Sequence, residues 1–192
     1  MGGRPPAAED LSLRRSGVTV RQAGLDDIPI FRELRMAALR DSPDAFEMTY
    51  QEERTQTDQQ WRERWASTDN AGFIASLHGA PVGIAAGYFS EPDTVQLVSM
   101  WVTPAARGRG VGSTLLDAVV QWAWRCSAQQ VRLWVTVGND DAERLYAGSG
   151  FERTGEVKPL RSRPGRHEIA MRLRRDAHQT RARRTSTRIE AE

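Results

Sequence analysis

The sequence predicts an α/β protein built on one mixed sheet of about seven strands with helices on both faces. Three observations carry this reading. Helical and strand periodicities follow one another in the order strand, two helices, three strands, helix, strand, helix, two strands. Val131–Val137 has large residues on both faces, as a central strand covered from two sides does. Between them, a glycine-rich turn (RGRGVG, Arg107 to Gly112) joins an apolar run at Val95–Val102 to a helical run at Val111–Cys126.

The elements follow in order. Met1–Ser16 mixes Gly, Pro, Ala and both charges and reads as a flexible leader outside the fold. Val18–Arg21 alternates as a first strand. Asp26 or Asp27 caps a helix with Pro29 in its first turn. Ile28, Phe31, Leu34, Met36, Ala38 and Leu39 recur there at helical spacing until Asp41-Ser42-Pro43 stops it. Thr57 with Gln60 three residues on is a capping box. It opens a short helix bearing Trp61 and Trp65 one turn apart, which either line a pocket or bury against the core. Gly72–His78 and Val82–Ser90 are strands joined by Gly79-Ala80-Pro81, with His78 beside that turn. Val95–Val102 then leads into the glycine-rich turn. On the next helix Val111, Leu115, Val119, Trp122 and Cys126 share one face, which presses the helix on the sheet and fixes its N-terminus at the turn. Val131–Val137 runs into a helix opening at Asn139, and His167–Leu173 alternates as a closing strand.

A strand, a glycine-rich turn and a helix N-terminus aim free backbone N–H groups and the positive end of the helix dipole at one spot, which is an anion cradle. Gly108, Gly110 and Gly112 admit dihedrals and close approaches that a Cβ forbids, and Arg107 and Arg109 add forked cationic donors suited to phosphate. Spacing separates the nucleotide-binding readings. A P-loop requires a Lys after its second glycine, and the chain's only lysine is Lys158. A dinucleotide fingerprint requires Gly or Ala three positions after its second glycine, where this chain has Ser113 or Leu115.

What remains, Arg-x-x-Gly-x-Gly after a strand, resembles the acyl-CoA pyrophosphate loop of the GCN5-related N-acetyltransferase (GNAT) family. A second motif supports it: Asn139–Phe151 (NDDAERLYAGSGF) is similar to the family's second CoA-binding segment, and the two occur in the family's order, separated by one helix and one strand. Together they cover Val95–Phe151, and the flanking pattern extends the resemblance to about Val18–Leu173.

The resemblance implies a mostly antiparallel sheet in which two neighbouring central strands splay apart. It implies that Arg107, Gly108, Arg109, Gly110, Val111 and Gly112 hold the pyrophosphate of acetyl-CoA. The backbone of Met100, Trp101 and Val102 then pairs with the pantetheine arm. Asn139 both caps its helix and touches CoA. Tyr146 falls where the family places a tyrosine that gives a proton to the departing thiolate, and packing beside Ala142 is its plainer role. The implied reaction is acetyl transfer to a primary amine, on a small molecule or a peptide, by direct attack in a ternary complex without metal. A non-catalytic acyl-CoA sensor of the same fold is the alternative, because the base is missing. Where histone-type members carry a glutamate this chain has Gln96, and where ribosomal-protein acetyltransferases do it has Trp134. Glu91 and Asp93 remain, acting through water. Asp44, Glu47, Glu52 and Glu53, in the region that sets acceptor specificity in the family, form an acidic rim suited to a cationic amine. The family's habit of pairing makes a homodimer an expectation.

Composition bounds the rest. The 192 residues fit a single domain, taken as residues 17–175, followed by a basic tail at 176–192. The net charge is only +2, and the Arg-rich tail lacks the interleaved aromatics of a nucleic-acid module, which argues against that partner. No apolar run spans a membrane and no secretory signal opens the chain, so a cytoplasmic location is expected. Cys126, the single cysteine, allows no internal disulfide and reads as a core residue.

Overall fold

The computed structural model describes residues 12–15 and 17–176. One eight-stranded sheet organises them: β1 (Ser12–Arg15), β2 (Val18–Gln22), β3 (Asn70–Leu77), β4 (Ala80–Glu91), β5 (Thr94–Val102), β6 (Gln130–Thr136), β7 (Glu152–Pro159) and β8 (His167–Arg174), in the spatial order 1-2-3-4-5-6-8-7. Only β5 and β6 pair in parallel, and every other neighbouring pair is antiparallel. The sheet has one strand more than the periodicity predicts. Ser12–Arg15, assigned to the leader from composition, pairs with Val18–Arg21 in a hairpin through Gly17. Backbone pairing on an edge demands no apolar alternation, so the hydrophobic pattern carries no trace of it. The remaining leader residues and the tail from residue 177 lie outside the described residues.

Five helices cover the two faces: α1 (Ile28–Asp41), α2 (Tyr50–Arg54), α3 (Asp58–Ala66), α4 (Val111–Arg125) and α5 (Asp140–Gly148). Alternation along the strands sorts the cores. Phe73 joins the cluster under α4 and α5, while its neighbour Ile74 joins the cluster under α1 and α3 with Phe31, Leu39 and Trp61. The Thr57 capping box forms as read, with Gln60 N–H donating to Thr57 Oγ1 at 3.2 Å and Thr57 N–H to Gln60 Oε1 at 2.8 Å. A second box at Thr49 and Glu52 opens α2. Asp27 departs from its expected role: its carboxylate accepts from Gly24 N–H and Arg21, and the latter hydrogen bond leads in holding it below the usual carboxylate range.

Helix α4 fixes the geometry that matters most. Val111, Leu115, Val119 and Trp122 are buried along one face as expected, and Leu115 presses on the backbone at Gly83, where an added Cβ would lie 3.1 Å from Leu115 Cδ1. Leu115→Ala is expected to destabilise the protein by about 2–5 kcal/mol, the range for a buried leucine truncated in a close-packed core. Urea denaturation measures this.

Candidate active site

The parallel strands part early. β5 and β6 are in register only from Thr94–Gln96 against Gln130–Arg132, and beyond those residues they no longer pair with each other. A bulge on β5 marks the parting: Ala86 opposes Val98 and Ile84 opposes Trp101, so the two residues Ser99 and Met100 face the single Ala85 and one of them is extra to the ladder. Ser99 sits at φ +56°, a conformation that raises the backbone energy by about 1–3 kcal/mol in a non-glycine residue. Such a bulge bends and twists its strand, and here it turns the end of β5 away from β6.

The glycine-rich turn follows the end of β5 and leads into α4. Gly108 and Gly110 adopt φ +73° and +79°, and an added Cβ at Gly108 would meet nothing within 4 Å. Gly110 is the left-handed N-cap of α4 and has no side-chain cap. The intrahelical ladder begins with Thr114 N–H to Gly110 O at 3.1 Å, leaving the preceding N–H groups ahead of it. Gly112 is helical; its missing Cβ makes room for Leu145 and Met100, whose atoms would lie 3.3 and 3.7 Å away. Val111 is buried, so only its backbone can face the turn.

The two arginines divide. Arg107 folds back, donating from Nε to Val102 O at 3.0 Å and pairing with Asp41. Asp41 also accepts from Trp101 Nε1 at 2.9 Å, which ties α1, β5 and the turn together. Burial pushes the Asp41 carboxyl up, but the bonds from Trp101, Ser42 and Arg107 outweigh it and hold the group below its usual range. Arg107 therefore braces the turn against α1 and β5. Arg109 is exposed and makes no ion pair among the described residues.

Asn139 caps α5, its Oδ1 accepting from Ala142 N–H at 3.3 Å. The helix it starts delivers Tyr146, which is 6% exposed and packs its ring 5.9 Å from Phe151. Among the described residues no group hydrogen-bonds to the Tyr146 hydroxyl. Burial raises its pKa well above the ordinary phenol value, so it stays protonated at any physiological pH. Tyr146 lines a cavity of about 760 Å³ that also touches Gln96–Met100 of the parting strand.

The four carboxylates expected as an acidic rim all have cationic partners, and only Glu47 and Glu53 of the four line the cavity. Asp44 pairs with Arg163, Glu47 with Lys158, Glu52 with Arg161, and Glu53 with both Arg35 and Arg64. The hydrogen bonds from Arg161 lead in lowering the Glu52 pKa to about 2. Every carboxylate expected to attract a cationic amine is thus already neutralised, by partners that are distant in sequence.

Glu168 is a residue that sequence reasoning missed. It is 3% exposed, lines the cavity, and stands opposite Lys158 on β7 and Thr136 on β6. Lys158 Nζ lies 3.5 Å from Glu168 Oε2 and 4.4 Å from the centre of the Trp134 ring. Glu168 Oε2 accepts no hydrogen bond, and burial pushes its pKa up. In the sequence it falls on the polar side of an alternating strand, which reads as solvent-facing. Segment 44–47 covers that side, tied down by Thr136 Oγ1 to Asp44 O at 2.9 Å and by Ser162 Oγ to Phe46 O. Glu91 and Asp93, the expected bases, sit in the turn at the paired end of β5 and do not touch the cavity. His78 is exposed in the β3–β4 turn. Trp61 and Trp65 line the cavity, and Trp61 is also fully buried, so both readings of that pair hold. Cys126 is half-buried against the α4 core, and burial raises its thiol pKa, which suits a structural residue.

A parallel pair that parts beside a glycine-rich helix N-terminus matches the fold that the sequence resemblance implies. The chain belongs to the Acetyltransferase (GNAT) family, whose model matches residues 34–151. An uncharacterised N-acetyltransferase of Methanocaldococcus jannaschii is 29% identical over 148 residues, 73% of this chain and 63% of that protein, so the match spans less than two thirds of that relative's length. The L-methionine sulfoximine/L-methionine sulfone acetyltransferase of Salmonella typhimurium is 31% identical over 124 residues, 55% of this chain and 72% of that protein. Among solved structures, the spermidine N-acetyltransferase of Vibrio cholerae, in complex with CoA and spermine, superposes with a TM-score of 0.70 at 15% identity, covering 86% of this chain and 99% of that one. The family match supports acetyl transfer in general, and the solved structure shares the fold. No helix of the described residues is long and apolar enough to cross a membrane.

Proposed function

We propose that the protein transfers the acetyl group of acetyl-CoA to a primary amine by direct attack, with both substrates held in one complex. The observation that carries this reading is the Tyr146 hydroxyl, unpartnered among the described residues, in a cavity lined by Gln96–Met100 where β5 parts from β6, with the left-handed glycine turn following the end of β5. The turn fits a diphosphate: its amides precede the helical ladder, an added Cβ finds open space there, and Arg109 is free to close on it. Past the bulge, the β5 backbone from Met100 to Val102 would hold the pantetheine arm, and Asn139 would add a contact from the opposite side.

Acetyl-CoA supplies a thioester whose carbonyl the amine attacks, forming a carbon–nitrogen bond as the carbon–sulfur bond breaks. Tyr146 gives its proton to the departing sulfur. Glu168, a buried carboxylate of the same cavity whose Oε2 accepts no hydrogen bond, takes the proton that the amine loses. This fills the role that Gln96 and Trp134 cannot. The S. typhimurium relative is named for methionine derivatives, amino acids that carry an amine and a carboxylate together.

Incubation with acetyl-CoA and a panel of amines, with free thiol followed over time, tests the reading. Amine-dependent thiol release supports it; tight CoA binding without release from any amine leaves an acyl-CoA sensor instead. For Glu168→Gln we expect kcat to fall about 100-fold, the low end for loss of a general base. The sign of its pH dependence follows from burial. A raised carboxyl pKa keeps Glu168 protonated further up the acid range, so wild-type kcat rises with pH through that pKa, and the Gln variant loses this limb.

A further inference from the structure

The cavity wall facing β5 carries an arginine whose charge is incompletely used. Arg35 of α1 is 7% exposed and lines the cavity. Its Nε donates to Glu53 Oε2 at 3.0 Å, while Glu53 Oε1 takes Arg64 at 3.1 Å. Two guanidiniums thus share one carboxylate, and one positive charge remains uncompensated. The Arg35 guanidinium lies 4.6 Å from the Phe46 ring centre, which fixes its placement. Its Nη1, closed off from solvent, meets no acceptor. A buried N–H of a charged group without an acceptor is strongly unfavourable, and an entering anion relieves it. Guanidinium geometry suits a planar oxyanion with two oxygens.

We propose that Arg35 is a carboxylate-binding subsite of the acceptor cavity, so that the acceptor is a small amino acid whose carboxylate meets Arg35 while its amine lies toward Tyr146 and Glu168. This rests on the acetyltransferase reading and narrows it. A polyamine finds few partners, because the acidic side chains of the cavity other than Glu168 are already paired. A peptide N-terminus fits poorly too, because the group adjoining its amine is a neutral amide.

The experiment pairs free L-amino acids, methionine sulfone included, with their carboxamides, and adds spermidine. Each is titrated calorimetrically into the complex of the full chain with CoA, and each is assayed in parallel for thiol release from acetyl-CoA. We expect the best acid to bind on the order of 100-fold more tightly than its amide, and to exceed spermidine. Arg35→Gln alone would leave Glu53 short of a buried partner, so the variant measured is Arg35→Gln combined with Glu53→Gln, in which the acid-to-amide ratio falls to about one. If that protein does not fold, Arg35→Lys keeps the charge beside Glu53 but removes the fork and lowers the ratio about tenfold. Equal binding of acid and amide by the wild type, a ratio unchanged in the folded variants, or a preference for spermidine overturns the subsite. Acid-selective binding without thiol release leaves the subsite standing and overturns acetyl transfer instead.

Discussion

Replacing Tyr146 with phenylalanine is expected to lower kcat about 100-fold or more while leaving CoA affinity and stability nearly unchanged. The separation of effects follows from the surroundings of the side chain. The ring packs against Phe151 at 5.9 Å, and phenylalanine preserves that contact. The hydroxyl bonds to no protein group among the described residues, so removing it strands no buried partner, which is the usual reason a lost hydroxyl destabilises a protein. What disappears in the proposed mechanism is a protonated donor at the parting of β5 and β6, where the thiolate would leave. The burial that raises the pKa of Tyr146 would keep the proton in place until developing charge on sulfur drew it off. Steady-state kinetics on the variant, with CoA titration and a thermal melt as controls, checks this. A wild-type turnover number would reduce Tyr146 to a packing residue, and a lower melting temperature with unchanged kcat would make its role structural.

The sequence announces the parts of the site that depend on local rules. The left-handed residues of the turn are glycines because other residues strain there, Asn139 caps α5 because an amide oxygen satisfies the Ala142 N–H, and the face of α4 repeats at helical spacing because the sheet beneath it is apolar. The second capping box, Thr49 with Glu52, was equally readable from its spacing. The parts that stayed hidden depend on pairing between distant segments. The pairing of Arg107 with Asp41, on a helix that starts before residue 30, leaves no trace in the local pattern of the turn. Glu47 and Glu52 look like an acidic rim until Lys158 and Arg161 arrive from the other end of the chain. Glu168 looks solvent-exposed because strand periodicity reports which face a residue is on, while what covers that face is a tertiary fact.

That contrast has a consequence for the chemistry. The backbone of the glycine turn is specified locally, whereas the charges lining the cavity come from α1, the segment before α2, α2, α3, β7, the loop before β8 and β8. A few substitutions among those side chains can change which amine is accepted while leaving the turn and the parting intact, as expected of a fold whose specificity is grafted on a fixed cofactor frame.

Gly110→Asp tests that frame directly, and we expect it to weaken CoA binding about 100-fold, or ~2.7 kcal/mol. Gly110 sits at φ +79°, ψ 0°, in the left-handed region, where aspartate is tolerated at an energy of roughly 1 kcal/mol. Aspartate is ordinarily a good N-cap, but it caps from extended backbone, so here its carboxylate is not positioned to take the helix amides. The side chain finds space: an added Cβ would have only Ser113 Oγ near it, at 3.9 Å. The fold should therefore survive, with a melting temperature within a few degrees of wild type, about the shift that ~1 kcal/mol produces in a domain of this size. The loss arises from a negative charge at the helix N-terminus, where the dipole and the free amides would otherwise meet the diphosphate. Gly110→Ala adds strain without charge and should lose less than about tenfold, and raising the salt concentration should narrow the gap between the two variants by screening the repulsion. Equal CoA affinity for Asp and wild type, in a folded protein, would place the diphosphate away from this turn and separate the parting of β5 and β6 from cofactor binding altogether.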